Sequence, residues 1–244
     1  MTGRNFADYF FNQTSRFGEH LATETVEHAE APKSFNDLLK LTQLFEEHLL
    51  KVGLKAGQHV VISGPNSVAF LCVSLAVWRL NSVLIPLNPS YKPGEFINYL
   101  KQTECKLLLI DANLADCFDL TNVNCNVEVY DESGLRQCKC KECQTSEDSN
   151  KLTSELPNKN ESNATAVLFF SSGTTSLPKL VKISHEALCS HLDIVCAVRL
   201  SQVLPKMGTD DVCLSILPYF HAGGLLTAFC DAYARSPLDC LQPI

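Results

Sequence analysis

The residues best suited to chemistry in this chain fall in one stretch, Ser171-Ser172-Gly173-Thr174-Thr175-Ser176-Leu177-Pro178-Lys179. The apolar run Val167 to Phe170 precedes it and reads as a buried strand. Leu180 to Ile183 follows, with Val181 and Ile183 alternating around Lys182 as a second strand would. Hydroxyls and backbone N–H groups converging in a tight loop between strands make an anion cradle, and Lys179 adds a compact positive charge. Phosphate is the natural guest; a polar Ser/Thr-rich connector is the plain alternative. The second informative stretch is Leu217-Pro218-Tyr219-Phe220-His221-Ala222-Gly223-Gly224-Leu225. It places a histidine and two glycines just past the carboxyl end of a strand expected over Asp211–Leu217. In open α/β sheets that crevice receives ligands. A histidine satisfied by a neighbouring carbonyl is the alternative for His221.

The first stretch is not a Walker loop, which needs glycine directly before the lysine and Ser or Thr directly after it, where this chain has Pro178 and Leu180. It resembles instead the phosphate loop of the adenylate-forming superfamily: acyl-CoA synthetases, 4-coumarate-CoA ligases, luciferases and peptide-synthetase adenylation domains. Ser176 and Leu180 stand where that loop usually carries glycine. The second stretch resembles the Pro-x-Phe-His-x-x-Gly motif of the acyl- and aryl-CoA synthetases and luciferases. Gly57 to Ile62, Pro65-Asn66-Ser67, Pro86-Leu87-Asn88-Pro89 and Glu95 follow the N-terminal subdomain pattern of the same family in order.

The resemblance implies a two-step reaction. A carboxylate attacks the α-phosphorus of ATP, pyrophosphate leaves, and the acyl-adenylate then acylates a thiol, that of coenzyme A. It implies that Ser171, Ser172, Gly173, Thr174, Thr175 and Ser176 hold the β- and γ-phosphates, with Lys179 offsetting their charge and Mg²⁺ bridging them. His221 would orient the acyl carboxylate, so His221 and Lys179 are the implied catalytic pair, with no metal ligand assigned to the protein. Phosphoryl chemistry of this kind relies on positioning and charge neutralisation rather than on a protein nucleophile. The family's later motifs supply an acidic residue for the metal, an aspartate for the ribose, an adenine-stacking aromatic and a lid lysine. They have no place before Ile244, so the expectation is an N-terminal portion that does not complete acyl-CoA synthesis. A non-catalytic nucleotide- or acyl-binding remnant is the alternative of a different class.

Composition agrees with a globular α/β protein: 244 residues, 45% hydrophobic, 19% charged. A net charge of −7 argues against a nucleic-acid or anionic-membrane surface. No apolar run approaches the roughly 20 residues that span a bilayer, and Met1 to Asn5 lacks a secretory core. The expectation is a cytoplasmic protein, with organelle association open. The sequence leaves the oligomeric state undetermined. Most of the twelve cysteines stand singly in apolar contexts, as at Cys72, Cys189, Cys196 and Cys213. Asn12, Asn160 and Asn163 head glycosylation-like triplets read as chance in this setting. Cys138-Lys139-Cys140-Lys141-Glu142-Cys143 could ligate zinc in a regulatory protein. No further ligand pair follows at finger spacing, so an exposed thiol cluster is the reading.

Several elements must position the two stretches. Phe6, Tyr9, Phe10 and Phe17 predict an amphipathic N-terminal helix. Ser34 or Asn36 caps a helix to about Val52, with Leu38, Leu41, Phe45 and Leu49 as its stripe and Gly53 as its stop. Strands are expected at Val60–Ile62, Val83–Leu87 and Lys106–Ile110. Between them lie an apolar helix over Val68–Leu80, closed by a left-handed Asn81, and a helix from Pro93 to about Gln102. Ser184 caps a helix from His185 to about Arg199. Near-continuous apolar strands alternating with helices predict a doubly wound, mostly parallel sheet with helices on both faces. The expected divisions are an α/β subdomain over 1–132, a polar Cys-rich linker over 133–162, and a phosphate-loop and acyl-site segment over 163–244.

Overall fold

The computed structural model describes residues 4–24, 31–121, 123–137, 164–171, 178–200 and 213–234. The chain opens with α1 (Phe6–Thr14), a short 3-10 turn, β1 (Leu21–Thr23), β2 (Lys33–Ser34) and α2 (Phe35–Lys51). Next come β3 (His59–Ser63), α3 (Val68–Arg79), β4 (Val83–Pro86), α4 (Pro93–Gln102), β5 (Leu107–Asp111), β6 (Asn126–Asp131) and β7 (Gly134–Gln137). It continues with β8 (Thr165–Phe170), β9 (Leu180–Ser184), α5 (His185–Leu200) and α6 (Ala222–Ala234). β1 and β2 form a small antiparallel pair. The other strands form one sheet in the order β7-β6-β5-β3-β4-β8-β9.

The order β5-β3-β4 shows the double winding. The chain leaves β3 through α3 to reach β4 on one side, then crosses through α4 to β5 on the other. Helices α1, α2, α3, α5 and α6 therefore share the core on one face, and α4 packs on the other. Only the outer strands run antiparallel, β7 against β6 and β9 against β8.

Local chemistry explains where the elements stop and start. Ser34 accepts from the Asp37 N–H while the Asp37 carboxylate accepts from the Ser34 N–H, a reciprocal box that starts α2. Ser67 caps α3 through Phe70 N–H at 3.1 Å. Gly53 (φ +78°) and Asn81 (φ +53°) take the left-handed conformation that ends α2 and α3. Helix α3 is apolar on all sides and buried on all sides, the pattern of a central helix. Its Trp78 packs edge-on against Phe6 of α1 at 5.2 Å and at a tilt against Phe229 of α6 at 5.5 Å. The Trp78 Nε1–H donates to the Ala166 carbonyl at 2.8 Å, where the β8–β9 register shifts.

One expectation is corrected. Cys213–Leu217 lies outside any strand, and Leu214, Ile216 and Leu217 are exposed, Ile216 by 73%. A strand needs a neighbour for its ladder, and β9 ends the sheet without pairing to this segment. The stretch read as linker begins with β7, which folds back on β6 through the Asp131–Gly134 turn. The boundary at residue 132 does not divide the sheet, because β8 pairs with β4. Most of the Cys-rich stretch, with the whole cysteine cluster, lies outside the described residues.

Candidate functional site

Strands β3, β4, β5 and β8 are parallel, so the loops that follow them emerge at one edge of the sheet. That edge carries Gly64 to Ser67 after β3, Leu87 onward after β4 and Ser171 after β8. Connections leave β3 and β4 toward opposite faces, which makes the space beside them the topological switch point of an open α/β sheet.

Of the phosphate-loop residues, Ser171 and Lys179 are described; Ser172, Gly173, Thr174, Thr175 and Ser176 lie outside the described residues. The two ends of the loop clasp each other. Ser171 N–H donates to the Lys179 carbonyl at 2.8 Å, and Lys179 N–H donates to Ser171 Oγ at 3.1 Å. Ser171 therefore uses an Oγ lone pair to close the loop and keeps its hydroxyl proton for another acceptor. Lys179 is exposed and has no ion-pair partner among the described residues. Its ammonium is available to an anion at the mouth of the loop.

His221 is also exposed and sits where α6 begins. Its N–H donates to the Pro218 carbonyl at 3.1 Å and its carbonyl accepts from Leu225 N–H at 3.0 Å. The imidazole is the projecting side chain of a tight turn, and Tyr219 is the buried one, its ring 5.8 Å from Phe70 of α3. The two glycines of this stretch differ in role. A Cβ on Gly224 would lie 2.1 Å from the Pro218 carbonyl oxygen, so the helix can approach the turn only without a side chain there. A Cβ on Gly223 would meet nothing within 4 Å, so packing does not account for that glycine.

The turn reaches the sheet through Asn66. Its amide bonds the backbone of Leu217 and Tyr219 at 2.8 and 2.9 Å, fixing the turn to the loop after β3. Ser171 and the Asn66 that holds the His221 turn thus lie at one edge, after strands β8 and β3, which are two strand spacings or roughly 10 Å apart in the sheet. Sequence reasoning noted Asn66 only within the Pro65-Asn66-Ser67 stretch, with no role of its own, and missed α6 altogether. Leu225, Ala228, Phe229 and Tyr233 carry the helical signal of α6, which the two leading glycines hide.

One cavity, about 630 Å³, lies at the opposite, amino edge, beside His59, Val83 and Thr165. It holds none of the expected site residues. Among the described residues no three metal-ligating side chains cluster, and no helix is long and apolar enough to cross a membrane.

The fold belongs to a family that comparison makes explicit. The sequence model of the AMP-binding enzyme family matches residues 10–238, and the protein belongs to that family. The 4-coumarate-CoA ligase of Pinus taeda is 27% identical over 190 residues, covering 77% of this chain and 34% of that relative. The oxalate-CoA ligase of Arabidopsis thaliana is 29% identical over 181 residues, covering 71% and 33%. The crystal structure of apo MatB from Rhodopseudomonas palustris matches with a TM-score of 0.72 at 23% identity, over 97% of this chain and 44% of that one. That likeness establishes the fold. The chain spans about a third of the length of the curated relatives it matches.

Proposed function

We propose that this chain carries the phosphate-binding and acyl-binding part of an ATP-dependent acyl-activating ligase. In the proposed reaction a carboxylate oxygen attacks the α-phosphorus of ATP, the bond to the pyrophosphate oxygen breaks, and an acyl-adenylate forms. A thiol, that of coenzyme A, then displaces AMP to give a thioester. The observation that carries this reading is the shared edge: Ser171 follows β8, and Asn66, which holds the His221 turn, follows β3 two strands away beside the switch point. Membership of the AMP-binding family supports it independently.

Each group has a role that its surroundings permit. Lys179, exposed and uncommitted, would offset the charge of the β- and γ-phosphates and of the departing pyrophosphate. Ser171 would donate its free proton to a phosphate oxygen while holding the loop shut. Ser172, Gly173, Thr174, Thr175 and Ser176 complete the proposed cradle. His221 would orient the acid for in-line attack. Mg²⁺ would accompany the triphosphate and help offset its charge, with no protein ligand assigned to it. The substrate class is a small carboxylic acid. The relatives named for 4-coumarate and oxalate make aryl and dicarboxylic acids the first to try, with fatty acids next. A cytoplasmic setting belongs to this proposal and suits buried thiols such as Cys72, Cys105 and Cys189, which are in no disulfide.

The test is carboxylate-dependent exchange of labelled pyrophosphate into ATP, beside direct measurement of ATP–Mg²⁺ binding. The expected result is ATP binding that Lys179→Ala weakens at least tenfold, about 1.4 kcal/mol. Exchange that requires an added acid supports the ligase. ATP binding with no exchange under any acid favours a nucleotide-binding module instead. A chain that binds no ATP overturns both.

A further inference from the structure

Asn66 lies in the turn Gly64-Pro65-Asn66-Ser67 that leaves β3. Its side-chain amide is used at both ends by the same distant segment. Nδ2–H donates to the Leu217 carbonyl at 2.8 Å, and Oδ1 accepts from Tyr219 N–H at 2.9 Å. The residue between those two backbone groups is Pro218, which has no N–H of its own. Asn66 thus acts as a one-residue strand partner for a segment that lacks a ladder. The orientation of the amide is fixed by chemistry: a carbonyl demands the NH₂ end and an N–H demands the oxygen, so the flipped amide would fail at both contacts.

What Asn66 holds is the base of the His221 turn. Pro218, whose carbonyl accepts from His221 N–H, stands between its two contacts. The turn has one buried side chain, Tyr219, on the Phe70 side, and it cannot shift toward α6 because Gly224 is already in backbone contact with Pro218. Asn66 supplies the restraint on the β3 side, the side of the crevice, with one hydrogen bond to the backbone on each side of Pro218.

We propose that Asn66 is the positioning residue for His221, holding the Leu217–His221 turn at the carboxyl edge of β3 so that the imidazole faces the mouth of the Ser171–Lys179 loop. This rests on the acyl-site reading above. Asn66 does not touch the reacting atoms; it acts by fixing the backbone from which His221 projects. Aspartate, of the same shape, would keep the acceptor for Tyr219 but set a carboxylate oxygen against the Leu217 carbonyl. Alanine would release both contacts. Because the amide is exposed, neither change removes packed volume, and both variants are expected to fold with an unfolding midpoint near that of the parent.

The experiment uses the full 244-residue chain and two readouts. The first is hydrogen exchange of the Tyr219 amide, followed by NMR. Asn66→Ala is expected to accelerate it at least tenfold, while amides within β3 and α6 stay unchanged. The second is alkylation of His221, measured by mass spectrometry, with anionic bromoacetate against neutral bromoacetamide, which share the bromide leaving group. In the parent chain the anionic reagent should be favoured, because its carboxylate mimics the acid beside Lys179. Asn66→Ala and Asn66→Asp should each cut that preference at least fivefold. A parent chain with no preference for bromoacetate overturns the acyl-site reading, and this proposal with it. A parent preference that both variants retain overturns the role of Asn66 alone, as does a Tyr219 amide that exchanges no faster in Asn66→Ala.

Discussion

His185 is the residue whose protonation the whole fold should feel. It is 3% exposed at the start of α5, and its Nδ1 accepts the Phe6 N–H of α1 at 3.2 Å. The proton of the neutral ring therefore sits on Nε2, which finds no partner. Burial holds the pKa down at about 4, against the opposing pull of the Asp8 carboxylate on α1. A folded pKa below the unfolded value of 6.5 means that the unfolded chain takes up the proton first. The stabilising contribution is complete above pH 6.5 and is lost as pH falls toward 4. Each tenfold difference in proton affinity between the folded and unfolded chain is worth about 1.4 kcal/mol, so roughly 2–3 kcal/mol should disappear across that window. Asp8, its partner Arg79 on α3 and the Arg4–Glu186 pair also face this region. Arg4 stays charged throughout, and its hydrogen bond holds the Glu186 carboxylate below the usual range. His185→Gln can still accept from Phe6 but cannot titrate. Urea unfolding from pH 7 to pH 4 should therefore fall less steeply in the variant; an equal decline in both would remove His185 as the cause.

At the level of elements, α3 binds the layers together. Ala166 sits where the β8–β9 pairing slips, so its carbonyl is outside the regular ladder and Trp78 supplies its donor. Trp78→Phe keeps an aromatic in the cluster with Phe6 and Phe229 but deletes this donor and leaves a gap. The expected cost is about 2–4 kcal/mol, combining an unmet carbonyl with a small cavity, read as a lower urea midpoint. A change under about 0.5 kcal/mol would mean that water takes over the carbonyl. At this scale the sequence is unevenly legible, for a physical reason. Strands β3 to β5 and helices α2 to α4 could be read because their caps and apolar periods are local. Strand β6 could not: Val127 and Val129 alternate with Glu128 as if one face met solvent. Yet Glu128 is buried, and its carboxylate meets His48 Nε2 of α2 at 2.9 Å. The polar residue is tolerated inside because a residue 80 positions away answers it.

For the whole molecule, the sheet of the described residues is bounded by two antiparallel strands, β7 and β9. On the β7 side the last strand turns back in a tight hairpin. Among the described residues, Val181 of β9 is 49% exposed, and Leu214 and Ile216, in the segment before the His221 turn, are 68% and 73% exposed. Exposed apolar side chains of this kind should bind a hydrophobic dye and promote self-association. Leu214→Ser with Ile216→Ser is expected to lower the fluorescence of bound anilinonaphthalene sulfonate at least twofold, while the unfolding free energy stays within about 0.5 kcal/mol. Unchanged dye binding would locate the apolar surface elsewhere.

By itself the amino-acid order determined the caps and the apolar helix and strands, since each is written in neighbouring side chains. The tertiary structure decided which strands adjoin, that Gly224 is demanded by a carbonyl, and that Asn66 clasps backbone 151 and 153 residues further on. Those outcomes depend on which distant groups find each other's hydrogen-bonding capacity unmet at the sheet edge, and no local period records such a meeting.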